Sequence, residues 1–142
     1  MLSSQELAVV LRNNGYKVTP QRLAVYEVMV SNPCHPTAET IFQQLQYKFP
    51  SMSFATVYKT VEILHRLNLI QVLSLGEDSL RYDADVSVHH HLQCTCCSRV
   101  YDLKLDTQSL VAQAEQNSGY NIHSQRLYFF GICPECRKRN LN

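Results

Sequence analysis

Apolar residues recur at helical spacing through the first half of this 142-residue chain and give way to alternation after residue 70. In "VTPQRLAVYEVMVSNP", Leu23, Tyr26 and Val30 fall on one face, Thr19 can cap, Pro20 suits the first helical position and Asn32-Pro33 ends the run. "PTAETIFQQLQYKFP" repeats the pattern, with Thr37 as cap, Ile41 and Leu45 as core positions and Pro50 as stop. A third helix starts at Ser53 in "SFATVYKTVEILHRLNLI". There Val57, Val61 and Leu64 form an apolar stripe, and Ala55, Tyr58, Lys59, Glu62 and Arg66 turn the other way. "IQVLSLGEDSLRYD" then alternates about Gly76, Glu77 and Asp78, which predicts a hairpin. Three helices and a hairpin are the order of a winged helix-turn-helix, whose last helix enters a major groove.

The second half carries a different pattern. "RVYDLKL" alternates, "DTQSLVAQAEQNSG" reads as a helix from an Asp106 cap to a Gly119 stop, and "IHSQRLYFFGIC" is strand-like again. The expected architecture is α+β, with a winged-helix DNA-binding domain over residues 1–82, a hinge "DADVSV" over 83–88 and an α/β domain over 89–142. With 45% apolar and 18% charged residues the chain is expected to fold around a core. No apolar run approaches the roughly 20 residues that span a bilayer, and polar residues interrupt the N-terminal stretch where a secretory signal would be apolar. A cytosolic address is therefore expected. The net charge of +1 is small for a nucleic-acid binder. Even so, Arg12, Lys17 and Arg22 occur with no acid between positions 7 and 26.

Six cysteines in a reducing compartment point to metal or redox chemistry rather than disulfides. Cys94-x-x-Cys97 and Cys133-x-x-Cys136 stand 35 residues apart, and two such knuckles supply the four thiolates of a closed tetrahedral zinc site. A redox motif needs no second copy, and buried free thiols have no reason to keep this spacing. Cys34 and Cys96 fall outside the set. The run "HHHLQC" enters the first knuckle as a strand would, so His89 and His91 share a face and His90 points to the other. Two imidazoles are a partial metal site, and further donors remain open among His35, Asp83, Asp85 and Asp102. The alternative is solvated histidines beside ordinary surface acids.

The ordered set "YKVTPQR", "HPTAETIF", "SFATVYKTVEIL", "RYD", "HHHLQCTCC", "VYDL" and "YFFGICPEC" resembles the ferric uptake regulator family over nearly the whole chain. The resemblance implies a DNA-binding homodimer whose C-terminal α/β domain is the dimerisation domain. It also implies a structural zinc on four cysteines and a regulatory Fe2+ or Mn2+ held by His35, Asp83, His89, His91 and Asp102. Asp85 drops out. Asp102 stands where the iron-sensing branch typically has Glu, as in the peroxide-sensing branch, and the iron branch's His-His-Asp-His is Val88-His89-His90-His91 here. Zinc-sensing members usually place Cys at the position of Asp83. Gln125 stands where iron-branch members place a histidine, so an auxiliary third site is not implied, and His90 and His123 read equally as surface histidines.

The expected DNA contacts are Tyr58 and Lys59 on the recognition helix, Ser53 and Thr56 at its start, Lys17 in a minor groove and Arg22 on a phosphate. The function so implied is a repressor that senses peroxide through oxidation of a ligand histidine, His35 or His89, and performs no turnover. The alternatives are an iron sensor of the same fold, a small metallohydrolase or a passive zinc-stabilised module. The hydrolase lacks a motif such as His-Glu-x-x-His.

Overall fold

Local capping chemistry sets the helices of the first half. In the computed structural model, which describes residues 1–76 and 79–140, Ser3 and Glu6 form a reciprocal capping box at the head of α1 (Ser4–Asn13). The periodicity had not predicted this helix. Helix α2 (Pro20–Ser31) has Thr19 as its cap, with the hydroxyl accepting from the Arg22 amide at 3.3 Å, and Pro20 in the first turn. Its buried face is Ala24, Val25, Tyr26, Val28 and Met29, so Val30, expected inside, lies outside it. Thr37 caps α3 (Ala38–Gln46) in the same way, accepting from the Thr40 amide at 3.2 Å. This helix ends before Pro50. Helix α4 (Phe54–Arg66) buries Val57, Thr60, Val61 and Leu64. Ser53 flanks it without a capping bond and instead meets the Thr56 hydroxyl at 3.0 Å.

Strands β1 (Gln71–Leu73) and β2 (Arg81–Asp83) pair antiparallel, with Val72 opposite Tyr82. Glu77 and Asp78 of the expected turn lie outside the described residues. One core joins these elements: Leu7, Val25, Tyr26, Ile41, Val57, Leu64 and Tyr82 are among its buried members.

The chain divides into two units between Val86 and Ser87. In the second, β3 (His90–Cys94) pairs antiparallel with β4 (Val100–Leu103) and parallel with β5 (Tyr128–Gly131). A parallel partner requires a crossover, which α5 (Gln108–Ser118) supplies. Thr107, not Asp106, is the residue flanking α5, although the Asp106 carboxylate accepts from the Gln108 amide at 3.0 Å. Gly119 ends the helix at φ 73°, a conformation that costs glycine little. The strand expected over "IHSQRLYFFGIC" is confined to β5. Upstream of it, the Ile122 backbone amide donates to the Glu115 carboxylate and the Gln125 side-chain amide to the Thr107 hydroxyl, which ties that segment to α5 and its flanking residue. A short helix, α6 (Pro134–Asn140), follows. No described helix is long and apolar enough to cross a membrane.

Candidate metal centres and nucleic-acid interface

The parallel register of β3 and β5 sets Cys94 opposite Gly131, so each strand runs into a cysteine knuckle at the same end of the sheet. Ser98, at φ 56°, turns the first knuckle back, its amide donating to the Cys94 carbonyl at 2.8 Å. The second knuckle runs into α6. The sulfurs of Cys94, Cys97, Cys133 and Cys136 all lie within 4.8 Å of one another, with Cys97 and Cys133 at 4.0 Å. A zinc tetrahedron with metal–sulfur bonds of about 2.3 Å has sulfur–sulfur edges of about 3.8 Å, so the donor set fits that ion with small contraction.

Electrostatics point the same way. The Cys133 and Cys97 amides hold the Cys94 thiol down to about 6, whereas hydrogen bonding with Cys133 and then burial push Cys136 up. Four sulfurs this close carry four negative charges only around a cation. Arg99 donates to Glu135 at 2.8 Å and thereby clips the two knuckles together. Cys96 is exposed and outside the group, and Cys34 is half-buried.

A second set of donors is built on the hairpin of β3 and β4. His91 sits directly opposite Asp102, and strand alternation turns His89 to the same side. Asp102 Oδ1 lies 3.3 Å from His89 Nε2 and 3.7 Å from His91 Nε2, and the two imidazole centroids are 4.6 Å apart. His89 Nδ1 is 2.9 Å from the Ser87 carbonyl, which only accepts, so Nδ1 carries a hydrogen. In its neutral form the ring turns its Nε2 lone pair toward the carboxylate. Two lone-pair donors facing each other at this distance suit a proton or a metal ion between them. His90 points to the opposite face and is 1% exposed, accepting from the Leu127 amide at 3.4 Å. This corrects its reading as a surface histidine. His123 is exposed.

His35 and Asp83 meet within the first unit. Strand β2 is stitched to the loop before α3: the Tyr82 amide donates to the Pro36 carbonyl at 3.1 Å, and Thr37 forms a bridge to Arg81. This sets His35 Nδ1 3.6 Å from Asp83 Oδ1, both side chains buried. His35 takes φ 52°, a left-handed conformation uncommon for a non-glycine residue. Asp83 Oδ1 also accepts from the Asp85 amide at 2.7 Å, so Asp85 contributes its backbone there.

Of the residues expected to meet DNA, Tyr58 and Lys59 are exposed on α4. Tyr58 is braced edge-to-face by Phe54 at 4.9 Å, and Phe54 by Phe42 at 5.4 Å. Glu62, which alone would repel phosphate, is paired with Arg66 at 2.8 Å. Lys17 is exposed, whereas the Arg22 guanidinium donates to the Lys17 carbonyl and orders the turn before α2.

A winged-helix unit followed by an α/β unit with a four-sulfur cluster defines a class of metal-binding regulators, and residues 13–130 match the model of the Ferric uptake regulator family. The chain belongs to that family. It is 35% identical over 136 residues to the peroxide operon regulator of Bacillus subtilis, covering 95% of this chain and 94% of that one. Among solved structures it is similar to the Helicobacter pylori ferric uptake regulator, described as having three functional metal-binding sites. That match has a TM-score of 0.77 and 26% identity, over 94% of this chain and 90% of the other. It is also similar to PerR of Streptococcus pyogenes, described in terms of peroxide sensing and gene regulation, with a TM-score of 0.56 and 27% identity over 96% and 94%.

Proposed function

We propose that this protein is a cytoplasmic, homodimeric, metal-dependent repressor of transcription that releases DNA in response to peroxide. The observation that carries the reading is Asp102. A short carboxylate, registered opposite His91 and 3.3 Å from His89, occupies the position where the iron-sensing branch has the longer Glu. The 35% identity to a peroxide operon regulator supports the same branch.

Residues 1–82 bind DNA in this reading, 83–88 serve as a hinge, and 89–142 dimerise. Support for the dimer comes from apolar surface left bare in the second unit. Helix α5 buries none of its residues and exposes Leu110, and Phe129, Phe130 and Ile132 are exposed on or just after β5, an edge strand of the described sheet. Cys94, Cys97, Cys133 and Cys136 hold zinc, and the closed set of four leaves it a structural role.

His35, Asp83, His89, His91 and Asp102 hold the regulatory ion. Three imidazoles and two carboxylates suit Fe2+ or Mn2+. When bound, Fe2+ supplies the reduction of H2O2 that oxidises an adjacent imidazole, His35 or His89. The ligands come from both sides of the proposed hinge, so holding the ion and holding DNA favour one domain arrangement, and each raises the affinity for the other. Tyr58 and Lys59 enter the major groove, with Ser53, Thr56, Lys17 and Arg22 on the backbone or in the adjacent minor groove. A histidine spent in this way is not turned over, so the protein is a sensor and not an enzyme.

The test is selection of duplexes from a randomised library by zinc-replete protein with Mn2+ or with a chelator of the regulatory ion. A two-fold-symmetric motif enriched only with Mn2+ is the expected result. Equal enrichment without Mn2+ contradicts metal dependence.

A further inference from the structure

Beside Tyr58, a small cavity of about 160 Å³ opens between the start of α3, helix α4 and the wing, lined by Ala38, Glu39, Tyr58, Ser79, Leu80 and Tyr82. All its lining residues belong to the first unit, and none of them is a candidate metal donor. Tyr82 is 3% exposed, yet its hydroxyl makes no hydrogen bond among the described residues. The Glu39 carboxylate, exposed on the first turn of α3, and the Tyr58 hydroxyl are likewise uncommitted among the described residues. The Tyr82 hydroxyl is not among the fully enclosed unsatisfied atoms, so it meets the solvent of the cavity, which a hydrogen-bonding partner can replace.

The chemistry of the three groups narrows that partner. A carboxylate only accepts hydrogen bonds and repels phosphate, guanine O6, thymine O4 and purine N7. In a major groove the only donors are the exocyclic amines, cytosine N4 and adenine N6. We propose that this cavity receives the exocyclic amino group of a base next to the one Tyr58 contacts, with Glu39 as its acceptor and, where the base is adenine, the Tyr82 hydroxyl donating to N7. Glu39 is then a specificity-determining residue of the operator contact. The inference rests on the DNA-binding reading and adds a base preference to it.

The experiment is duplex selection from a randomised library with Mn2+-loaded full-length protein, comparing wild type, Glu39→Gln, Glu39→Ala and Tyr82→Phe. The wild type is expected to fix adenine or cytosine at one position of each half-site, and which base is enriched tells N6 from N4. Glu39→Ala should lose that preference by roughly tenfold, the discrimination one good side chain–base contact gives, with the rest of the motif unchanged. Glu39→Gln keeps an acceptor and should retain part of the preference. Tyr82→Phe keeps the ring and should weaken it where the base is adenine.

If Glu39→Ala tightens binding to all sequences alike and leaves the motif intact, Glu39 is a repelling charge only and the inference is overturned. A motif with no Glu39-dependent adenine or cytosine overturns it too, while the repressor reading stands. If the wild type enriches no motif at all, both fall together.

Discussion

Asp102 faces two imidazoles from one strand position, and a single added methylene there tests its role. Asp102→Glu should keep Mn2+-dependent DNA binding but lower peroxide sensitivity by roughly tenfold or more, because the longer carboxylate still ligates while reshaping the site. Titration of DNA release against H2O2 reads this out, and unchanged sensitivity removes Asp102 as the branch-determining residue. Cys94 makes a second prediction at this scale. Its thiol is held down to about 6 in the folded chain, below the usual 8.5 or so of an unfolded cysteine. Its thiolate therefore favours the folded chain above the unfolded value, and this contribution is lost as pH falls through about 6. Zinc release to a chromogenic chelator should be slow at pH 8 and accelerate as the pH falls, because protons compete with the ion for the thiolates. Release that is indifferent to pH down to 5 contradicts ligation by Cys94. Residue chemistry was legible in the sequence where a spacing carried it, as in the paired cysteines and the His89–His91 parity. The burial of His90 was not, because alternation tells which way a side chain points and not what lies there.

At the scale of elements, the helices that start with a threonine were readable from local sequence, because a cap is a contact across three residues. Thr37 caps α3 just beyond His35, so Thr37→Ala should destabilise the first unit by about 1 kcal/mol. That corresponds to a fall in Tm of about 4–8 °C for a unit of this size, and thermal unfolding of the zinc-replete protein measures it. No change in Tm means the cap is dispensable. Helix α1 escaped the periodicity, although Ser3 and Glu6 spell a capping box. Helix α6 escaped because it is short and, among its described side chains, only Cys136 is buried. Strand β5 is shorter than its alternation implied because side chains of α5 and its cap claim the segment before it. The meeting of His35 with Asp83 joins positions 48 apart and left no local trace. It follows from β2 bonding to the loop before α3, which only resemblance to a family could anticipate.

For the whole molecule, the claim that matters is that one chain couples metal, peroxide and DNA. Zinc-replete protein loaded with Fe2+ or with Mn2+ is bound to a selected duplex and given a low dose of H2O2. DNA release is followed by fluorescence anisotropy, and the same sample is digested for mass spectrometry. The Fe2+ form should release DNA in step with the gain of one oxygen atom on the peptide carrying His35 or the one carrying His89, while the Mn2+ form stays bound and unmodified. DNA released with both histidines intact, or DNA still bound with either fully oxidised, contradicts peroxide sensing by ligand oxidation and leaves an iron-sensing repressor of the same fold as the better description.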